Sequence, residues 1–248
     1  MIIDLRNRIL LFILPLNLTF VFTQDYSPKS SGEVVKYNYY SLSYNEYHEQ
    51  ANWVYYKLNN LMLNGTAKRT NNFRIDYNIS SKSSSPNDYK GSGYDRGHLA
   101  PAGDMKINSR AMSESFLMSN VSPQIPSFNR GGWNKLESLI RMWSRNRASY
   151  VTTGGVLNSN SYRKIGKNKI SVPAQFYKVV FIPSENKMIA FLMPNQKIES
   201  SLKSYVVSVD HIEEITGIDF HYKLEDELEG KLESKSNIEK WDFNLVYN

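Results

Sequence analysis

Tyr94-Asp95-Arg96-Gly97-His98-Leu99-Ala100-Pro101-Ala102-Gly103-Asp104 is the stretch around which the chain reads. It sets an acid, a guanidinium, a residue without a side chain and an imidazole in consecutive positions. Pro101 and Gly103 follow at once, which excludes the middle of a helix. Gly97 allows a turn or a close backbone approach, and His98, with an ordinary pKa of about 6.5, can move a proton near neutral pH. An Arg-Gly-His triplet alone is compatible with a structural histidine as well as a catalytic one. The weight comes from a run further on, Asn120-Val121-Ser122-Pro123-Gln124 and then Phe128-Asn129-Arg130-Gly131-Gly132-Trp133-Asn134-Lys135-Leu136-Glu137.

Working outward, Ser80 to Gly93 is poor in apolar residues and reads as a surface loop leading into the motif. Asn52 to Met62 fits a strand running into a short helix without deciding between them. Ser109 to Phe116 reads as a short helix and Phe116-Leu117-Met118 as a buried strand. Trp133, Leu136, Ile140 and Trp143 recur at helical spacing and give one apolar face. Tyr150 to Thr153 reads as a strand ending at Gly154-Gly155. Phe176 to Ile182 and Met188 to Met193 flank the turn Pro183 to Lys187 as a hairpin. Leu202 to Gly217 reads as loop then helix, stopped by Gly217.

The 248 residues, 41% hydrophobic and 22% charged, are those of a globular domain able to bury its own core. No cysteine is present, which excludes a disulfide framework, a thiolate nucleophile and a cysteine zinc site. Residues 1–23 carry Arg6 and Arg8 ahead of an apolar run and read as an export signal, with an uncleaved anchor as the alternative. Residues 24–37 read as a loose leader and 38–248 as the domain. The expected destination is secreted or periplasmic, with no stable membrane association once the signal is removed. Net charge is +6, and +5 without residues 1–23, a tilt towards polyanions. From Arg130 to Lys169 there are nine basic residues and one acid, Glu137; from Asp210 to Glu233 there are nine acids and two lysines. A phosphate-backbone binder needs the first segment on its binding face, so the second is expected on the opposite side.

Together the two motifs resemble the DNA/RNA non-specific endonuclease family, the ββα-metal nucleases that include endonuclease G. Tyr40-Ser41-Leu42-Ser43-Tyr44 with His48 and Trp53-Val54 is similar to that family's opening segment. Val172-Pro173, Phe176-Tyr177-Lys178, Met193-Pro194-Asn195 and Val209-Asp210 through Thr216-Gly217 are similar to its later landmarks. The resemblance implies an α+β fold with a mixed or antiparallel sheet core and a ββα-metal finger. It implies cleavage of DNA and RNA, held by the phosphate backbone with little sequence preference, leaving a 5′-phosphate.

Phosphodiester hydrolysis needs an activated water, positive charge on the phosphoryl oxygens and help for the departing oxygen. His98 can supply the first as a general base. The resemblance implies a divalent cation, Mg²⁺ (or Mn²⁺ or another), held by the amide oxygen of Asn129; a helix cap is that residue's other reading. It also implies that Glu137 holds a water on the metal, the alternative being an i,i+4 pair with Arg141. If one helix ran from Asn129, the eight-residue step would put both on roughly one side. Arg96 can neutralise phosphate charge, Asp95 suits pinning the loop, and Asn120 suits a contact with substrate or loop. Arg69 and Arg74 are both candidates for a transition-state arginine, Asn108 is a further candidate, and His48 suits bracing the core. A non-catalytic nucleic-acid-binding module, a small-substrate phosphodiesterase and a homodimer stay open as alternatives.

Overall fold

The computed structural model describes residues 25–29, 32–158 and 162–244. The segment 1–23 read as an export signal lies outside them. The chain begins as an antiparallel meander of β1 (Glu33–Lys36), β2 (Tyr40–Asn45) and β3 (Gln50–Leu58), followed by the one-turn helix α1 (Asn60–Leu63). The leader expectation is therefore corrected. Glu33 to Lys36 pairs in register with Ser41 to Tyr44, and Tyr26 packs edge-on against Tyr150 and Phe181 at 4.8 and 5.0 Å. The polar run Ser27, Pro28, Ser30 and Ser31 between them masked the buried ring of Tyr26 and the short strand that follows.

The motif strand is β4 (Asp95–His98), and helix α2 (Ser109–Glu114) precedes β5 (Val121–Gln124). The expected strand at Phe116 to Met118 is a tight turn; the strand starts three residues later, because Leu117 bridges to Arg74 instead. Helix α3 (Asn134–Trp143) follows an irregular turn, Phe128–Trp133. Then come β6 (Ser149–Gly155), the small ribbon of β7 (Lys164–Ile165) and β8 (Ile170–Ser171), and the hairpin of β9 (Gln175–Ile182) and β10 (Lys187–Pro194). Strand β11 (Val206–Val207) leads to α4 (Val209–Thr216), capped by Gly217 at φ 68°, and α5 (Asp226–Glu233) closes the order.

Seven strands form one antiparallel sheet in the order β1-β2-β3-β6-β9-β10-β11. Period-two alternation sorts its side chains. Phe176, Val180 and Ile182 of β9 join Trp133, Leu136 and Ile140 of α3 in one core, while Tyr177, Val179 and Phe181 join Val209, Ile212 and Leu232 in another. Both faces are thus covered, which explains why β9 reads as a nearly continuous apolar run. The acidic helices α4 and α5 lie on the face opposite α3, as the charge asymmetry required.

Candidate active site

Strands β4 and β5 pair with Asp95 opposite Gln124 and His98 opposite Val121, and α3 follows, so a ββα unit stands on the edge of the core. Gly97 is required by packing. A Cβ there would lie 2.2 Å from Oε1 of the fully buried Gln124. That close approach sets β4 down against β5 and fixes where the next residue, His98, begins.

The ring of His98 is 9% exposed and sits between Phe73 and Phe116, at centroid distances of 5.2 and 4.8 Å. Its Nε2 is buried without a hydrogen-bond partner. Burial, reinforced by the Arg69 and Arg96 guanidiniums, holds its pKa down to about 3, so the imidazole is neutral at physiological pH.

Asn129 occupies the irregular turn rather than a helix cap. The turn breaks at Gly131 (φ −104°, ψ −109°), and α3 begins only at Asn134. The count of helical turns from Asn129 to Glu137 therefore fails, yet both side chains line one cleft. The Asn129 amide nitrogen donates to Asp95 Oδ2 at 2.9 Å, which turns its oxygen away from Asp95. That oxygen accepts no hydrogen bond among the described residues. Arg130 forks onto the same carboxylate at 2.8 and 2.6 Å. Burial opposes ionisation of Asp95, but the bonds from Arg130 and Asn129 outweigh it and keep the carboxyl below its ordinary value. Asp95 is thus the pin of the loop.

Glu137, one turn into α3, is mostly buried. Arg141 Nη1 approaches it only to 4.0 Å, because that guanidinium is committed to Asp104 at 2.9 Å, itself bonded by the Tyr56 hydroxyl at 2.9 Å. Burial pushes the Glu137 carboxyl up, and the strongest opposing charge is the ammonium of Lys178. Lys178 is fully buried on the even-numbered face of β9. It lies 4.6 Å over the Trp133 ring and donates to Leu99 O and Thr153 Oγ1, each at 3.3 Å. Sequence reasoning gave this lysine no role, although it is the lone charge inside an apolar strand, which is the signal that singles it out.

His98, Asn129, Glu137, Arg69, Arg96 and Arg141 line one cleft of about 400 Å³. The other sequence candidates go elsewhere. Arg74 donates to Ser113 O at 2.8 Å and to Asn72 O, and its backbone is locked in the bridge to Leu117, so it does not reach the cleft. Arg69 does, with its guanidinium 5.0 Å from the Phe116 ring. Asn108 caps α2 through Ala111 N at 2.8 Å and donates to the Tyr39 hydroxyl. Asn120 is fully buried and clasps Ala100 N and O at 2.8 and 2.9 Å, bracing the turn after His98. His48 is buried with Nδ1 2.8 Å from Ser171 Oγ.

The donors in the cleft suit a hard divalent cation. Asn129 offers a free amide oxygen and Glu137 a carboxylate, with no sulfur ligand, and such an ion keeps several waters of its own. Of the arginines lining the cleft, Arg130 and Arg141 are engaged by Asp95 and Asp104, while Arg69 and Arg96 pair with no carboxylate among the described residues and complement a phosphodiester.

A family model described as DNA/RNA non-specific endonuclease matches residues 20–227. A nuclease of Nostoc sp. is 35% identical over 213 residues, covering 80% of this chain and 76% of its own. Human mitochondrial endonuclease G is 34% identical over 198 residues, 73% of this chain and 67% of its own. A chain in the crystal structure of the EndoG/EndoGI complex superposes with a TM-score of 0.71 at 29% identity, over 79% of this chain and 89% of that one.

Proposed function

The chain belongs to the DNA/RNA non-specific endonuclease family and is a phosphodiester-hydrolysing nuclease, and we propose that His98, Asn129 and Glu137 form its catalytic centre. The observation that carries this reading is convergence: an imidazole and an amide 31 positions apart in sequence share one guanidinium-lined cleft with Glu137.

The neutral His98 imidazole takes the proton of the attacking water, a contribution of about 10²–10⁴ in rate. Phe73 and Phe116 hold the ring, and Asn120 fixes the turn behind it. Arg69 and Arg96 bind the phosphoryl oxygens. Glu137 orients water; burial raises its carboxyl, and the charge of Lys178 is the strongest force working against that rise. A divalent cation such as Mg²⁺, held by Asn129 Oδ1, would supply positive charge to the phosphate and to the departing 3′ oxygen. The chain contacts so placed reach phosphate rather than base edges, which supports low sequence specificity. Export of the protein is inferred from residues 1–23.

Plasmid nicking with and without EDTA tests the reading. Wild type is expected to nick only with a divalent cation, and His98→Ala to lose at least about 10²-fold. Asn129→Ala is expected to weaken Mn²⁺ binding measured by calorimetry without nucleic acid. Nicking by His98→Ala close to the wild-type rate would refute the base assignment.

A further inference from the structure

Past the Arg96 guanidinium the cleft opens into a second hollow of about 540 Å³. Arg69, Arg96, Asn129 and Arg130 are walls common to both. The far side is made by Phe73, Asn87, Lys90 and Tyr94. None of these far-side residues carries a role in the reaction above beyond Phe73's packing on His98.

Two flat surfaces border the hollow. The Arg96 guanidinium lies 4.3 Å from the Phe73 ring, and the half-buried Tyr94 ring stands 5.4 Å from the Arg163 guanidinium. The exposed Lys90 is presented by a turn in which Gly91 and Gly93 have φ 72° and 84°, values that favour glycine. The only carboxylate in the lining, Asp95, is already engaged by Arg130 and Asn129. The lining is therefore planar and net cationic, with no free acid to repel a phosphate. A volume within the roughly 300–1,000 Å³ typical of small-ligand pockets can seat one nucleoside. Bases stack on aromatic rings and on guanidinium planes, and that stacking carries no sequence preference.

We propose that this hollow is a nucleotide subsite: it receives the nucleoside adjoining the scissile phosphate, its base against Arg96 and Tyr94, with Lys90 on the next phosphate along the strand. The inference rests on the nuclease reading of the cleft and deepens it, since it makes strand length beyond the cleaved bond a determinant of turnover.

The test compares kcat/KM on a short single-stranded oligonucleotide with that on bis(p-nitrophenyl) phosphate, which has no neighbouring nucleotide. In Tyr94→Ala and in Lys90→Glu the oligonucleotide-to-ester ratio is expected to fall about 10-fold, the order a lost stacking or phosphate contact gives. Fluorescence anisotropy of the same oligonucleotide in EDTA is expected to show Kd raised about 5–10-fold in both. A ratio and a Kd within twofold of wild type in both variants overturn the proposal, as does an equal fall on both substrates. Lys90 lies in an exposed turn, so Lys90→Glu decides the matter if Tyr94→Ala unfolds. A wild-type protein that cleaves neither substrate refutes the catalytic reading instead, while the anisotropy arm still decides the hollow.

Discussion

Gly97→Ala isolates the backbone contact on which the site is built. The added methyl would stand 2.2, 2.3 and 2.5 Å from Oε1, Cδ and Cγ of Gln124, about 1.2 Å inside ordinary contact at 3.4 Å. Gln124 is fully buried, so its side chain has no open space to swing into and β4 must lift from β5. Overpacking of this kind costs about 1–3 kcal/mol, offset by about 0.5–1 kcal/mol from the smaller backbone entropy of alanine in the unfolded chain. The net cost is then up to about 2.5 kcal/mol, and at about 2–4 °C per kcal/mol for a domain of this size Tm should drop by up to roughly 10 °C. Cleavage should suffer more, because His98 is the next residue and a displacement of about 1 Å can cost about 10²-fold in rate. The Gln124 amide makes no hydrogen bond, so Gln124→Ala removes the obstacle without breaking one. In Gly97→Ala/Gln124→Ala, nicking should recover at least about 10-fold over Gly97→Ala alone, a coupling above about 1 kcal/mol. Thermal unfolding and plasmid nicking on the four proteins of the cycle read both quantities. A single mutant with unchanged Tm and rate, or a double mutant with no recovery, would refute the account of β4.

Arg69→Ala should lower kcat/KM by about 10–100-fold with little change in Tm, whereas Arg74→Ala should act mainly on Tm through its lost bond to Ser113. Nitrogen chemical shifts of the His98 ring should report a neutral imidazole down to pH 5 in metal-free protein, where an ordinary histidine is almost fully protonated; a midpoint near 6.5 would contradict the buried setting. On the opposite face, Asp210, Glu213 and Glu233 bring carboxylate oxygens within 4.8 Å of one another. Burial first, then Asp210 and Asp219, push Glu233 up to about 8. A carboxyl raised in the folded state stabilises most below its unfolded pKa of about 4.5 and loses that contribution as pH rises through the folded value, so stability should decline between about pH 4.5 and 8. Glu233→Gln, which can keep a hydrogen bond to His221 Nδ1, should raise stability by about 1–3 kcal/mol at pH 8.5 and hardly at pH 4.5; denaturant melts at the two pH values decide it.

The groups that meet in the cleft were legible in the chain because they cluster in two short motifs. Asp95 to His98 and Asn129 to Glu137 contain the imidazole, the amide and the carboxylate that line it. The apolar stripe of α3 and the β9–β10 hairpin were equally plain, since periods of 3.6 and 2 are local properties of sequence. Local rules misjudged Phe116 to Met118, where the distant Arg74 decides the conformation, and the leader, where Tyr26 is held by the distant Tyr150 and Phe181 and Glu33 to Lys36 by the neighbouring β2.

What the tertiary structure alone decided is which charges meet. Arg69 and Arg74 are equivalent as letters; only the bridge to Leu117 turns one away from the cleft and leaves the other over Phe116. Asn120 looks like a substrate ligand until its amide is found closed on Ala100. Lys178 acquires meaning only when strand alternation sets its ammonium over the Trp133 ring and within electrostatic reach of Glu137, 41 positions away in the chain. The sequence determines which groups can react, because reactivity belongs to the side chain. Burial, orientation and the neighbouring charge depend on contacts between residues remote in sequence, and those exist only once the sheet has brought them together.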